Sequence, residues 1–126
     1  MAALAQLSSA QGQEDCKVVK NLDGVSAEDG ARVPAEQIPA AVTAGDLVFS
    51  DGATQTFDSD GATRYVEGGR QTEGTWSIGE DGFFYSFWPP TYRASYDLRW
   101  MVEKGVIVGL RFQDLKSRAS FDGRYQ

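Results

Sequence analysis

The chain reads as a single all-β domain, an antiparallel up-and-down meander of about eight strands curled into a small barrel. Two observations lead to that reading. Asp51-Gly52, Asp60-Gly61, Gly68-Gly69, Asp81-Gly82 and Lys104-Gly105 recur at short intervals, and each separates runs rich in Thr, Val, Ile and aromatics. Asp-Gly and Gly-Gly pairs between such runs are strong hairpin signals, because primed turns need positive φ at their central residues. Within the runs, apolar residues alternate with polar ones, which marks strands that bury one face.

The elements follow in order. Residues 1–32 carry no periodicity and many Gly, Asp, Glu and Ser, and are expected to form a flexible tail, with residues 33–126 as the barrel domain. Val18-Val19 is the one short strand candidate in the tail. Residues 34–44 predict a helix of a turn or two, with Pro34 at its start, Gly45 as its stop and Pro39 interrupting it, placed to close one barrel end. The strands are expected at 46–50, 53–57, 63–66, 72–78, 83–88, 93–102, 106–114 and 119–125, the fifth stopped by Pro89-Pro90. Tyr96, Leu98, Trp100 and Val102 share one face of the sixth strand, and Val106, Val108, Leu110 and Phe112 one face of the seventh. Closure removes exposed edges, and eight strands enclose room for a side-chain core or one small ligand. An open, strongly bent sheet or a two-sheet sandwich gives a similar pattern.

Composition narrows the function. The 126 residues carry 18 acidic and 12 basic side chains, a net charge of −6, with no clustered basic run, which disfavours nucleic acid as a partner. No apolar stretch is long enough to span a bilayer. No His is present, which removes the commonest general base and metal ligand and every Ser-His or Cys-His pairing. The lone Cys16 excludes an internal disulfide and a multi-Cys metal site. Asp58-Ser59-Asp60-Gly61 begins like a calcium loop, but Ala62 and Gly69 fall where ligands are needed, so a turn is expected there. No metal and no cofactor is expected. Residues 1–10 end in Ser-Ser-Ala but lack a basic start and a full apolar run, so they read as a leader or the remnant of a signal peptide. A periplasmic or secreted location is the expectation, with the cytoplasm as the alternative.

The aromatic run at 83–92 is the strongest functional candidate. Alternation sends Phe83, Tyr85 and Phe87 to one face and Phe84, Ser86 and Trp88 to the other, so both faces are apolar where one should be polar. Such a strand implies a cover, a pocket or an interface. Arg64, Arg93, Arg99 and Arg111 fall on strands, where they either form the solvent face, paired with Asp97, Glu103 and Asp114, or point into the lumen to meet a carboxylate or phosphate.

Gly74-Thr75-Trp76-Ser77-Ile78 followed by Asp81-Gly82, with Thr43-Ala44-Gly45 upstream, resembles small bacterial lipocalin-like (calycin-type) proteins, many of unknown function. The resemblance covers about residues 40–125. It implies a ligand-carrying barrel in which Trp76 is structural and closes one end.

Three functional readings follow. The first is non-catalytic binding of a small apolar or amphipathic acidic ligand. Tyr85, Phe87, Trp88, Tyr92 and Trp100 would hold its body, and Arg93, Arg99 or Arg111 its charge, with Asp97 beside them. The second is a barrel-type cyclase or isomerase acting by shape and by Tyr, Arg and Asp hydrogen bonds. The third is a protein-interaction or inhibitor module, or a homodimer, formed through the aromatic patch at 83–92.

Overall fold

A computed structural model describes residues 22–126. After a 3-10 turn (Ala35–Gln37) and a one-turn helix α1 (Ile38–Val42), eight strands follow: β1 (Leu47–Phe49), β2 (Thr54–Phe57), β3 (Ala62–Glu67), β4 (Arg70–Ile78), β5 (Phe84–Trp88), β6 (Tyr92–Glu103), β7 (Val106–Asp114) and β8 (Ser120–Tyr125). Each strand pairs antiparallel with the next, and β1 pairs with β8, so the sheet is a closed barrel rather than an open sheet or a sandwich. The leader at 1–10, Cys16 and Val18-Val19 lie outside the described residues.

The hairpins are of two chemistries. In Gly68-Gly69 and Lys104-Gly105 both residues have positive φ, as a primed two-residue turn requires. The Asp-Gly turns differ: only the glycine is left-handed, at φ 92 for Gly52, 99 for Gly61 and 85 for Gly82. In each, the Asp carboxylate accepts from the amide two residues on, at 3.0 Å for Ala53, Ala62 and Phe83. The same geometry recurs three times because Asp supplies the local acceptor and Gly the left-handed residue after it. Asp60 is thereby committed to a turn, as its sequence context predicts.

One register departs from simple alternation. Met101 pairs with Gly109 but Val102 with Ile107, so β7 carries an extra residue at this point. The bulge turns Ile107 onto the core and leaves Val106 60% exposed. Val106 and Val108 therefore do not continue the Leu110–Phe112 face that the sequence pattern assigns to them.

The up-and-down topology puts the β1–β2, β3–β4, β5–β6 and β7–β8 turns at one end, with the remaining turns and the segment before β1 at the other. That second end is plugged. Ile38, Ala41 and Val42 of α1 are buried against Leu47, Leu98, Trp100, Leu110 and Tyr125. The Tyr125 hydroxyl donates to the Ala41 carbonyl at 2.6 Å. The helix thus closes a barrel end as expected. It stops at Val42, ahead of Gly45, which has no left-handed φ; Gly45 instead lies beneath the Tyr125 ring.

Residues 22–32, which composition assigns to a flexible tail, are packed onto the domain. Leu22, Val25, Ala27 and Ala31 lie against the core. Strand β6 has twelve residues and β5 only five, so β5 leaves the far half of β6 without a partner on that side. The segment before the helix takes that edge: Gly30 and Val33 donate to the Trp100 and Leu98 carbonyls, and the Trp100 amide donates to Ala31, all at 2.9 Å. Backbone groups of an unpaired edge demand partners, and this demand organises a stretch that has little apolar pattern of its own.

Candidate functional site

The open half of the barrel holds a cavity of about 850 Å³. Its size falls in the range of small-molecule sites. The floor is Phe84 and Phe112, whose rings meet edge-to-face at 5.8 Å, with Phe57 stacked on Phe112 at 6.3 Å. Tyr96 stands edge-on to Phe112 at 5.7 Å and forms one wall. Phe49 and Tyr65 form another, 6.3 Å apart, and Trp88 meets Tyr65 edge-on at the same distance. Tyr92 and Phe121 stand at the mouth, 59% and 48% exposed.

The register explains this convergence. Trp88 pairs with Tyr92, Ser86 with Ala94 and Phe84 with Tyr96, so all six side chains point to the lumen. Gly74 of the Gly-x-Trp sequence makes room for Trp88: a Cβ there would lie 2.6 Å from the indole Cε3 and 2.5 Å from the Phe87 carbonyl. Trp76 lies two residues on, toward the plugged end. Its indole Nε1 donates to the Asp58 carbonyl at 3.0 Å and its ring stacks on Phe84.

Polar groups are few and defined. Gln55 Nε2 donates to the buried Thr63 hydroxyl at 2.9 Å, which in turn donates to the Thr56 carbonyl at 2.8 Å. The Trp88 indole N–H donates to the Ser86 hydroxyl at 3.2 Å. The Tyr96 hydroxyl has no hydrogen-bond partner among the described residues. Burial pushes its pKa up to about 12, with Tyr92, Asp114 and Tyr65 adding to the effect, so it stands as a neutral donor. Burial also raises the Tyr65 phenol, assisted by the nearby Glu67 and Asp51 carboxylates.

One stretch of wall is short. β1 pairs with β8 only at Gly123, Arg124 and Tyr125, leaving Ser120, Phe121 and Asp122 without a β1 partner. Through this notch Arg111 and Asp122, whose register places them on the outer face, reach the cavity. The guanidinium grips the carboxylate through two bonds of 2.8 and 3.0 Å. That grip raises the Arg111 pKa and lowers that of Asp122. A second hollow of about 500 Å³ on the outer wall shares Phe49, Ser50, Arg111 and Asp122 with the first.

The residues singled out by the sequence separate into three places. Trp88, Tyr92 and Arg111 line the cavity. Trp100 points inward but is 2% exposed, within the plugged half. Tyr85, Phe87, Arg93, Asp97 and Arg99 lie on the opposite face of their strands, outside the lumen. There they serve the wall. Arg93 stacks over Phe87 at 4.5 Å and Arg32 over Phe83 at 4.3 Å. The Tyr85 hydroxyl binds Asp81. Asp97 accepts from Arg99 at 2.8 Å and faces Arg32 at 3.4 Å, while Arg99 also donates to the Gly30 carbonyl at 3.1 Å. This cluster fastens the segment before the helix to β6. Arg64 faces Asp58 at 3.6 Å. The second apolar face of β5 is therefore covered by guanidinium groups, one of them brought by the packed segment.

Sequence reasoning missed Phe49, Asp51, Gln55, Tyr65, Tyr96 and Phe121 as lining residues. Their signal was phase: Tyr96 shares a face with Leu98 and Trp100, and Phe84 with Trp88. Once the Trp100 face is known to be inward, the strand-borne aromatic lining follows, whereas Asp51 in its turn and Arg111 and Asp122 at the notch do not. Among the described residues, no group of three potential metal ligands converges, and no helix is long and apolar enough to cross a membrane. Compared with known families, curated proteins and solved structures, the chain matches none.

Proposed function

We propose that the protein binds one small, largely apolar or amphipathic ligand without transforming it. The observation that carries this reading is the division of the barrel: one half is filled with side chains, and the other keeps an aromatic-walled space of about 850 Å³ open to solvent. Core packing abhors such voids, and filling this one with Leu or Phe side chains would add stability. A chain that keeps it, and edges it with a few placed donors such as Tyr96 and Gln55, is built as a binding site is built. Eight strands are enough for one such ligand. The likeness to lipocalin-like carriers belongs to the same proposal and rests on strand number, closure and the Gly-x-Trp sequence.

The acidic character expected of the ligand has less to rest on. Arg93 and Arg99 are on the outer wall, and Arg111 is already occupied by Asp122. Of the groups a cyclase or isomerase would use, Asp97 lies outside the lumen, which leaves Tyr96 as a neutral hydrogen-bond donor.

The test is a titration with N-phenylnaphthylamine, a neutral probe that brightens in apolar surroundings. Saturable one-to-one binding is expected, weakened at least tenfold by Trp88→Ala. A linear, unsaturable signal unaffected by that substitution would contradict the reading.

A further inference from the structure

We infer that the cavity selects a cationic amphiphile: an aromatic or aliphatic body seated among Phe84, Trp88 and Phe112, with a protonated or quaternary amine at the mouth beside Asp51. This rests on the cavity being a binding site and adds the sign of the ligand's charge.

The argument is a count of the charges that line the cavity. They are Asp51, Arg111 and Asp122. Arg111 and Asp122 neutralise each other through two hydrogen bonds, so an incoming carboxylate would have to displace Asp122 to use the guanidinium. Asp51 is different. One of its oxygens caps the Ala53 amide, and the carboxylate forms no ion pair among the described residues. The lining therefore carries one uncompensated negative charge, in a chain whose net charge is −6. Arg70, Lys116 and Arg118 lie at the same end of the barrel, but all three are exposed and none lines the cavity.

The rings make the same choice. Aromatic faces are electron-rich and attract cations. On the outer wall both Arg32 and Arg93 use such a face, that of Phe83 and of Phe87. Inside, the rings of Tyr65, Trp88 and Tyr92 border the lumen with no guanidinium over them among the described residues. Tyr65 stands next to Asp51 and Glu67, close enough for both to act on its phenol. A carboxylate beside open aromatic faces is the arrangement that recognises ammonium groups.

Three probes of nearly equal size test this by calorimetry: naphthylmethylammonium, naphthylmethanol and naphthoate, each with the wild-type protein and with Asp51→Asn. Asparagine keeps the oxygen that accepts from Ala53, so the turn is preserved. The cation is expected to bind about fourfold or more tightly than the alcohol, the order expected of one carboxylate about 5 Å away in a water-like dielectric. Naphthoate is expected to bind most weakly, and Asp51→Asn to abolish the advantage of the cation. Equal affinities, a preference for naphthoate, or an advantage that survives Asp51→Asn would overturn the charge assignment while leaving the pocket standing. Failure of all three probes to bind would instead overturn the pocket itself.

Discussion

The two ends of this barrel use the same material differently. At the plugged end, Trp100, Leu98, Leu110 and Tyr125 meet α1 and are almost wholly buried. At the open end, Trp88, Tyr92, Tyr65 and Phe121 are as large and as aromatic, yet they border empty space. The difference lies in what covers each end. Eight residues of 3-10 turn and helix, tied by the backbone bonds of residues 30–33 to β6, complete one core. Only tight turns and the notch beside the three-residue β1 stand at the other. Packing is concentrated in one half, and the other is the half we propose to serve recognition.

Matched tryptophan truncations put the largest strain on that contrast. Trp100→Ala removes a fully packed ring and is expected to cost about 3–5 kcal/mol in urea unfolding. Trp88→Ala is expected to cost about 1 kcal/mol, because its ring already borders a void and gives up fewer contacts. Equal losses would mean that the open half is packed like the closed one.

Alkaline unfolding probes both ends at once. Burial raises the phenols of Tyr125 at the plugged end and Tyr96 in the lumen, the latter up to about 12. In the unfolded chain a phenol loses its proton near pH 10. The fold then holds protons that the unfolded chain has released, so stability is complete below pH 10 and falls as pH rises toward 12. Tyr125→Phe should cost about 1 kcal/mol at neutral pH, through the lost bond to Ala41, and should flatten the alkaline decline. A decline of unchanged slope in that variant would place the responsible groups elsewhere.

The same contrast shows what could be read from the sequence. Strand number and boundaries were legible, because Asp-Gly and Gly-Gly turns are local chemistry and alternation is local geometry. The closing helix was legible from the apolar residues after Pro34, but Pro34 precedes a 3-10 turn and Pro39, expected to interrupt the helix, lies in its first turn. The side assignment was not, since alternation in β5 gives two apolar faces and only the register with β4 and β6 decides which is inside. That is why Trp88 and Tyr92 are found in the lumen while Tyr85, Phe87 and Arg93 are found on the wall. The β7 bulge was hidden too, because Val106 and Val108 look in phase with Leu110 until one residue is taken out of the ladder. The packed segment at 22–33 was invisible for a third reason. Its place is fixed by backbone bonds to β6 and by the Arg32–Asp97–Arg99 contacts, none of which leaves an apolar period.

The measurement that meets the central claim most directly is a titration of isotopically labelled protein with N-phenylnaphthylamine, followed by backbone amide shifts. The account predicts movement at Tyr65, Thr72, Ser86, Trp88 and Phe121, with Val42, Leu98 and Trp100 unmoved. Shifts centred on Phe83, Phe87 and Arg93 would make the outer wall the binding surface, and shifts spread through the plugged half would mean that the probe enters a core held here to be closed.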